Sequence, residues 1–157
     1  MHAITHREHY ALLHIGATRL ALTQHEVRTL EAGADVGGEG GVRFVATSGR
    51  RWPVLAIDDE LRPVALNAAP RRICAMLALR AGLFGLLCDE VEVLPQAHTT
   101  LHALPASMAS AQSAVLGVLA FERGIAVMST AARLAELLRV EAHRATRDAA
   151  LAAPVNA

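Results

Sequence analysis

Histidine, cysteine, serine and paired carboxylates are the side chains here with chemistry to offer, and their spacing is the first thing to test. His98 and His102 are four residues apart, a spacing that places two imidazoles on one face of a helix and suits Zn²⁺. Thr99, Thr100 and Pro105 oppose that helix, and no Cys, Asp or Glu stands close in sequence. A small β-barrel metal protein or enzyme built on His98/His102 is therefore the alternative reading, and solvated loop histidines are the simpler one. His2, His6 and His9 fall in an N-terminal arm. Cys74 and Cys88 sit inside apolar runs and read as buried free thiols; a neighbouring Asp89 does not activate a thiol. Ser107, Ser110 and Ser113 lie in a polar connection without a Gly-x-Ser-x-Gly elbow. Gly33–Gly41 holds five glycines in nine residues, but the chain has no lysine to complete a phosphate loop, and a strand-like segment follows. No catalytic residue, metal or cofactor is expected.

Two further groups are candidates for binding rather than catalysis. Asp89, Glu90 and Glu92 form an acidic end to an apolar run, with Glu90 and Glu92 on one side of a strand. They suit either a solvated strand face or an edge that meets a basic partner. Ser48, Gly49, Arg50, Arg51 and Trp52 surround a turn. Arg50 and Arg51 read as an exposed turn or as a docking contact. Trp52, the chain's single tryptophan, reads as an interface anchor or as a core residue.

Composition narrows the classes. The 157 residues suit one domain or two small lobes folding together, with 53% hydrophobic content and mean hydropathy +0.32. The 15 basic residues, all arginine, balance 15 acidic ones, and aromatics are scarce, so neither a basic field nor stacking platforms support a nucleic-acid binder. The longest apolar region, Ile73–Cys88, is shorter than a membrane span and carries Arg80 at its centre, so no direct membrane insertion is expected. The N-terminus lacks a signal-like apolar stretch, which points to a cytoplasmic protein.

The elements that would position these residues are mostly short strands. His9–Gly16 and Arg19–Thr23 form a hairpin, and Val27–Ala32 suits a third strand. Gly33–Gly41 reads as a flexible loop. Val42–Thr47 and Arg50–Asp58 flank the Ser48-Gly49 turn, with Pro53 best placed at an edge or strand start. Val64–Pro70 is a connector. Arg72–Leu79 is a doubly buried strand or a helix; the Arg80-Ala81-Gly82 turn and the apolar run after it favour a hairpin. Leu83–Leu94 follows as a strand, and Gln96–Ser113 as a long connection. Ala114–Phe121 and Ile125–Met128 form the clearest hairpin. Ser129 or Thr130 caps a helix, with Leu134, Leu137 and Leu138 on one face, running to about Asp148. This count of strands fits small barrels or a sandwich, not a doubly wound sheet.

Three blocks in this order resemble the CheW-like domain of bacterial chemotaxis coupling proteins. They are the strand pair and edge Leu20–Glu31, the Gly49-Arg50-Arg51-Trp52-Pro53-Val54-Leu55 strand, and Gly85-Leu86-Leu87-Cys88-Asp89-Glu90-Val91. The final strand–turn–strand and helix, Val115–Leu138, is similar too. Where the family carries Asn-Leu-Arg-Gly, this chain has Ala46-Thr47-Ser48-Gly49, with Arg50 and Arg51 directly after. The resemblance covers residues 9–140, leaving an arm at 1–8 and a helix end and frayed tail at 141–157. It implies a mainly β fold of two small intertwined SH3-like barrel lobes with a C-terminal helix. It also implies a non-catalytic adaptor docking a histidine autokinase regulatory domain, a chemoreceptor signalling tip, or both, in a chemotaxis or pilus-type system. The resemblance implies docking at the barrel edges and the groove between lobes, and the candidate partner-binding residues in this chain are Ser48, Gly49, Arg50, Arg51, Trp52, Asp89, Glu90 and Glu92.

Overall fold

Twelve short strands, one α-helix and short 3₁₀ turns make up the described residues. A computed structural model describes residues 9–39, 42–64, 71–107 and 114–152. The N-terminal arm, most of the Val64–Pro70 connector, Ser110, Ser113 and the tail after 152 lie outside the described residues. The strands are β1 (His9–Ile15), β2 (Thr18–Thr23), β3 (Val27–Ala32), β4 (Gly37–Glu39), β5 (Val42–Thr47), β6 (Arg50–Leu55), β7 (Ile73–Leu79), β8 (Gly82–Cys88), β9 (Glu90–Pro95), β10 (Thr100–Ala103), β11 (Gly117–Phe121) and β12 (Gly124–Met128). The helix α1 spans Ala131–Ala152.

The strands form two six-stranded sheets of the same design. One has the order β10-β11-β12-β2-β1-β9 and the other β3-β7-β8-β6-β5-β4. In each sheet the two edge strands are consecutive in the chain, joined by 3₁₀ turns at Gln96–His98 and Gly33–Asp35. A short link between opposite edges obliges each sheet to curl into an open barrel. Each sheet also joins a hairpin to a three-strand arch through one parallel contact, β12 with β2 and β6 with β8.

The sequence halves repeat this design and exchange their hairpins. β1 and β7 begin 64 residues apart (73 − 9), as do β2 and β8 (82 − 18). Hairpin β1–β2 completes the barrel built by the second half's β9–β12. Hairpin β7–β8 completes the barrel built by the first half's β3–β6. The two lobes are thus intertwined.

Strand alternation explains why this exchange is stable. Along β1, Tyr10 and Leu12 point into the first barrel with Ala21, Leu119, Ala126 and Met128. Their counterparts Cys74 and Met76 point into the second barrel with Val45, Val54, Ala56 and Leu87. The opposite faces, Ala11, Leu13 and Ile15 with Ala75 and Leu77, meet in a shared core between the lobes, joined by Leu20, Leu22, Phe84, Leu86 and Cys88. Each hairpin is therefore buried on both faces, which is why Ile73–Leu79 reads as a continuous apolar run. At about 1.5–3 kcal/mol per fully buried large apolar side chain, separating the lobes is strongly opposed.

The helix closes one side of the shared core with Ala131, Leu134, Ala135, Leu137 and Leu138. Thr130 caps it: its Oγ1 accepts from the Arg133 amide at 3.1 Å. Glu26 adds a second anchor. Its Oε1 accepts from the Ala131 amide at 2.9 Å, while Oε2 accepts from the Thr23 amide and hydroxyl at 3.1 and 2.7 Å. One carboxylate thus fixes the β2–β3 crossing and the positive end of α1.

Three expectations change. The glycine-rich segment contains a 3₁₀ turn and strand β4, held by its backbone ladder to β5. The long connection after Pro95 contains β10, whose four residues are all exposed. Both are edge strands held by one neighbour each, so they carry no hydrophobic alternation. Most importantly, Leu83–Leu94 is not one strand. It breaks at Asp89, β8 belonging to one sheet and β9 to the other.

Candidate docking surface

The β5–β6 hairpin presents the first group of candidate residues. Ser48 and Gly49 have φ of 54° and 75°. Two successive left-handed positions make a tight two-residue turn whose twist matches the flanking strands. That turn sends Arg50 and Arg51 to opposite faces of β6, both exposed. The Arg50 guanidinium lies 6.0 Å from the centroid of the Trp52 ring, at the outer limit of a cation–π contact. Trp52 is half-buried and packs on the second barrel's interior. Its ring crosses Gly82, where a Cβ would come within 2.6 Å of Cζ3. The missing side chain at Gly82 leaves room for the indole, which is partly packed on the barrel core and partly exposed.

Arg51 faces the other way, onto the outside of the same sheet. There it lines a cavity of about 250 Å³ with Asp35, Gly37, Gly38, Phe44 and Ala46. The register explains its shape. Gly37 lies opposite Phe44, and Ala46 opposite Arg51, so the strand beside Phe44 lacks side chains to cover it. Asp35 and Phe44 drew no attention in sequence, because nothing local shows that β4 folds against β5.

The acidic group divides into three different environments. Asp89 sits at the break between β8 and β9. Its Oδ2 accepts from the Gly16 amide at 2.9 Å and from the Arg71 guanidinium at 2.5 Å. Its own amide donates to the His14 carbonyl at 2.7 Å. The Arg71 side chain is only 10% exposed, so this pair pins the crossing of the chain between lobes. Glu92 bridges His14 Nε2 at 2.8 Å and Arg123 at 3.2 Å. The hydrogen bond from His14, with help from Arg123, holds its carboxyl below the ordinary range despite some desolvation. Glu90 is exposed. The two candidate groups lie on different sheets, Ser48–Trp52 on one and Glu90 and Glu92 on the other.

The remaining reactive side chains have structural settings. Burial pushes both the Cys74 and Cys88 thiols up to about 12, so neither is a nucleophile at neutral pH. The shared helix face that the alternative metal reading of His98 and His102 requires does not form. His98 ends a 3₁₀ turn, and His102 lies opposite Val118 in β10. Among the described residues, no group of three or more His, Cys, Asp or Glu side chains is placed to hold a metal ion. Ser107 is exposed in a turn. No described helix is long and apolar enough to cross a membrane.

The family-like block Gly85–Val91 now has a physical account at every position except the exposed Glu90. A Cβ on Gly85 would lie 2.4 Å from Cys74 Sγ and 3.1 Å from Val54 Cγ2, so three strands converge where only glycine fits easily. Leu86, Leu87 and Cys88 are buried, Asp89 pins the crossing, and Val91 packs on the shared core.

Comparison with known proteins gives a consistent result at the level of fold. No family model matches the chain, and no curated protein matches it by sequence. Among solved structures, the scaffolding protein TtCheW from Thermoanaerobacter tengcongensis superposes with a TM-score of 0.60 at 13% identity. The alignment covers 78% of this chain and 88% of that one. This chain therefore has a CheW-like fold, mainly β, with two SH3-like lobes and a helix near its C-terminus.

Proposed function

We propose that this protein is a non-catalytic adaptor of a bacterial chemosensory complex, working in the cytoplasm. Its partners in this reading are a histidine autokinase regulatory domain, a chemoreceptor signalling tip, or both. The observation that carries the reading is the likeness in fold to a scaffolding protein over most of both chains. Chemical features support it. The cysteine thiols are sequestered, and the exposed side chains of interest are arginines, a carboxylate and open strand edges, the equipment of docking rather than of bond making.

Docking would use the β5–β6 hairpin, with Ser48 and Gly49 setting its shape and Arg50, Arg51 and Trp52 making contact. Glu90 is the acidic residue best placed for a basic partner, since Asp89 and Glu92 are committed to internal pairs. The test is a pull-down with kinase regulatory domains and receptor cytoplasmic fragments from the same cell. Retention of either is the expected result. A well-folded protein that retains neither, across all kinases and receptors of that cell, sinks the adaptor reading.

A further inference from the structure

The groove beside the β5–β6 hairpin joins three observations. It is a concavity of about 250 Å³ floored by Phe44, Ala46 and the backbone of Gly37 and Gly38. Its two walls carry opposite charges, Asp35 on the strand β4 side and Arg51 on β6. Among the described residues, neither Asp35 nor Arg51 has an ion-pair partner. Arg50, stacked at 6.0 Å over Trp52 on the opposite face of β6, takes no part in the groove.

We infer that this groove binds a segment of a partner protein that combines one apolar side chain with adjacent carboxylates. The apolar side chain fills the space over Phe44 and Ala46. The carboxylates lie toward Arg51 and the turn, where a guanidinium offers a paired donor geometry. Asp35 repels them from the opposite wall and so sets the direction of the segment. The glycines of β4 allow the segment's backbone to approach the sheet closely. This deepens the adaptor reading by assigning the partner's chemistry to one face of one lobe, and it rests on that reading in treating the face as a docking surface.

The experiment titrates full-length protein with a short blocked peptide in which a leucine is flanked by glutamates. A matched peptide carries glutamines instead. Binding is followed by Trp52 fluorescence and by amide shifts. Expected are shifts at Gly37, Gly38, Phe44, Ala46 and Arg51 with the glutamate peptide. Arg51→Ala, an exposed change, should weaken binding by about tenfold, the scale of one lost charge-assisted contact. Asp35→Asn should leave it equal or tighter, and Arg28→Ala on β3 should leave it unchanged. Equal binding of the glutamine peptide, or shifts confined to other strands, overturns the inference. So does concentration-dependent self-association that Arg51→Ala abolishes, since the face then belongs to a second copy. The two readings separate cleanly. Pull-down of a kinase or receptor that is unaffected by Arg51→Ala leaves the adaptor standing and removes the groove. Peptide binding without any such pull-down does the reverse.

Discussion

Replacing Gly85 by alanine tests why the lobes can interlock as they do. Gly85 lies in β8, opposite Met76 of β7 and Val54 of β6, with strands paired on both sides. The backbone there cannot move away without breaking a ladder. An added Cβ would sit 2.4 Å from Cys74 Sγ and 3.1 Å from Val54 Cγ2. The first contact is more than 1 Å inside an ordinary separation of about 3.5–4.0 Å. Overpacking of this kind costs about 1–3 kcal/mol, offset by roughly 0.5 kcal/mol from the stiffer unfolded chain. Cys74→Ala removes the obstructing sulfur at a cost of about 1 kcal/mol in lost burial. The double variant should therefore be less destabilised than the sum of the single changes by about 1–2 kcal/mol. Urea unfolding followed by Trp52 fluorescence, with an unchanged dependence on denaturant, measures the cycle. Single-variant effects that add within about 0.5 kcal/mol would show that the sulfur is not what excludes a side chain at Gly85.

Other outcomes follow from the same geometry. Asp89→Asn should destabilise by about 2 kcal/mol, less than the roughly 3–5 kcal/mol of a fully buried pair because Asp89 is 41% exposed, and urea midpoints will read it. The folded-state carboxyl of Glu92 is lowered by His14 and Arg123, so its contribution is present above the ordinary glutamate value of about 4.3 and is lost as pH falls through and below it. Acid unfolding curves should accordingly be shallower for Glu92→Gln than for the parent in that range. With both thiols raised to about 12 and buried, a disulfide reagent at mild alkaline pH should leave the native protein unlabelled and label both cysteines in denaturant. Prompt labelling of the native state would contradict the burial of Cys74 and Cys88 in two packed cores.

Much of the fold was legible in the chain because its information is local. The turns at Gly16, Ser48-Gly49, Gly82 and Glu122–Gly124 are marked by residues that tolerate tight backbone geometry. The strands between them alternate or run apolar according to whether one face or two are buried. Thr130 and the leucine spacing announce α1. What escaped was the pair of edge strands β4 and β10, whose stability comes from a neighbour's backbone rather than from their own side chains. The same limit applies to the candidate site. Arg50, Arg51 and Trp52 could be singled out by type, whereas Asp35 and Phe44 join them only when β4 folds back on β5.

The stretch from Gly82 to Pro95 shows the division most clearly. Sequence alone determined that it is apolar and strand-forming, turns acidic at Asp89, and carries the block resembling a known family. Only the tertiary structure decided that it belongs to two sheets, with Asp89 at the crossing held by Arg71 and the Gly16 amide. Alternation tells a strand which faces to bury. It does not say which distant strand will cover them, and here hairpins 64 residues apart (73 − 9) chose each other's barrels. That choice rests on complementary packing between the halves, a property of the assembled chain and not of any one segment.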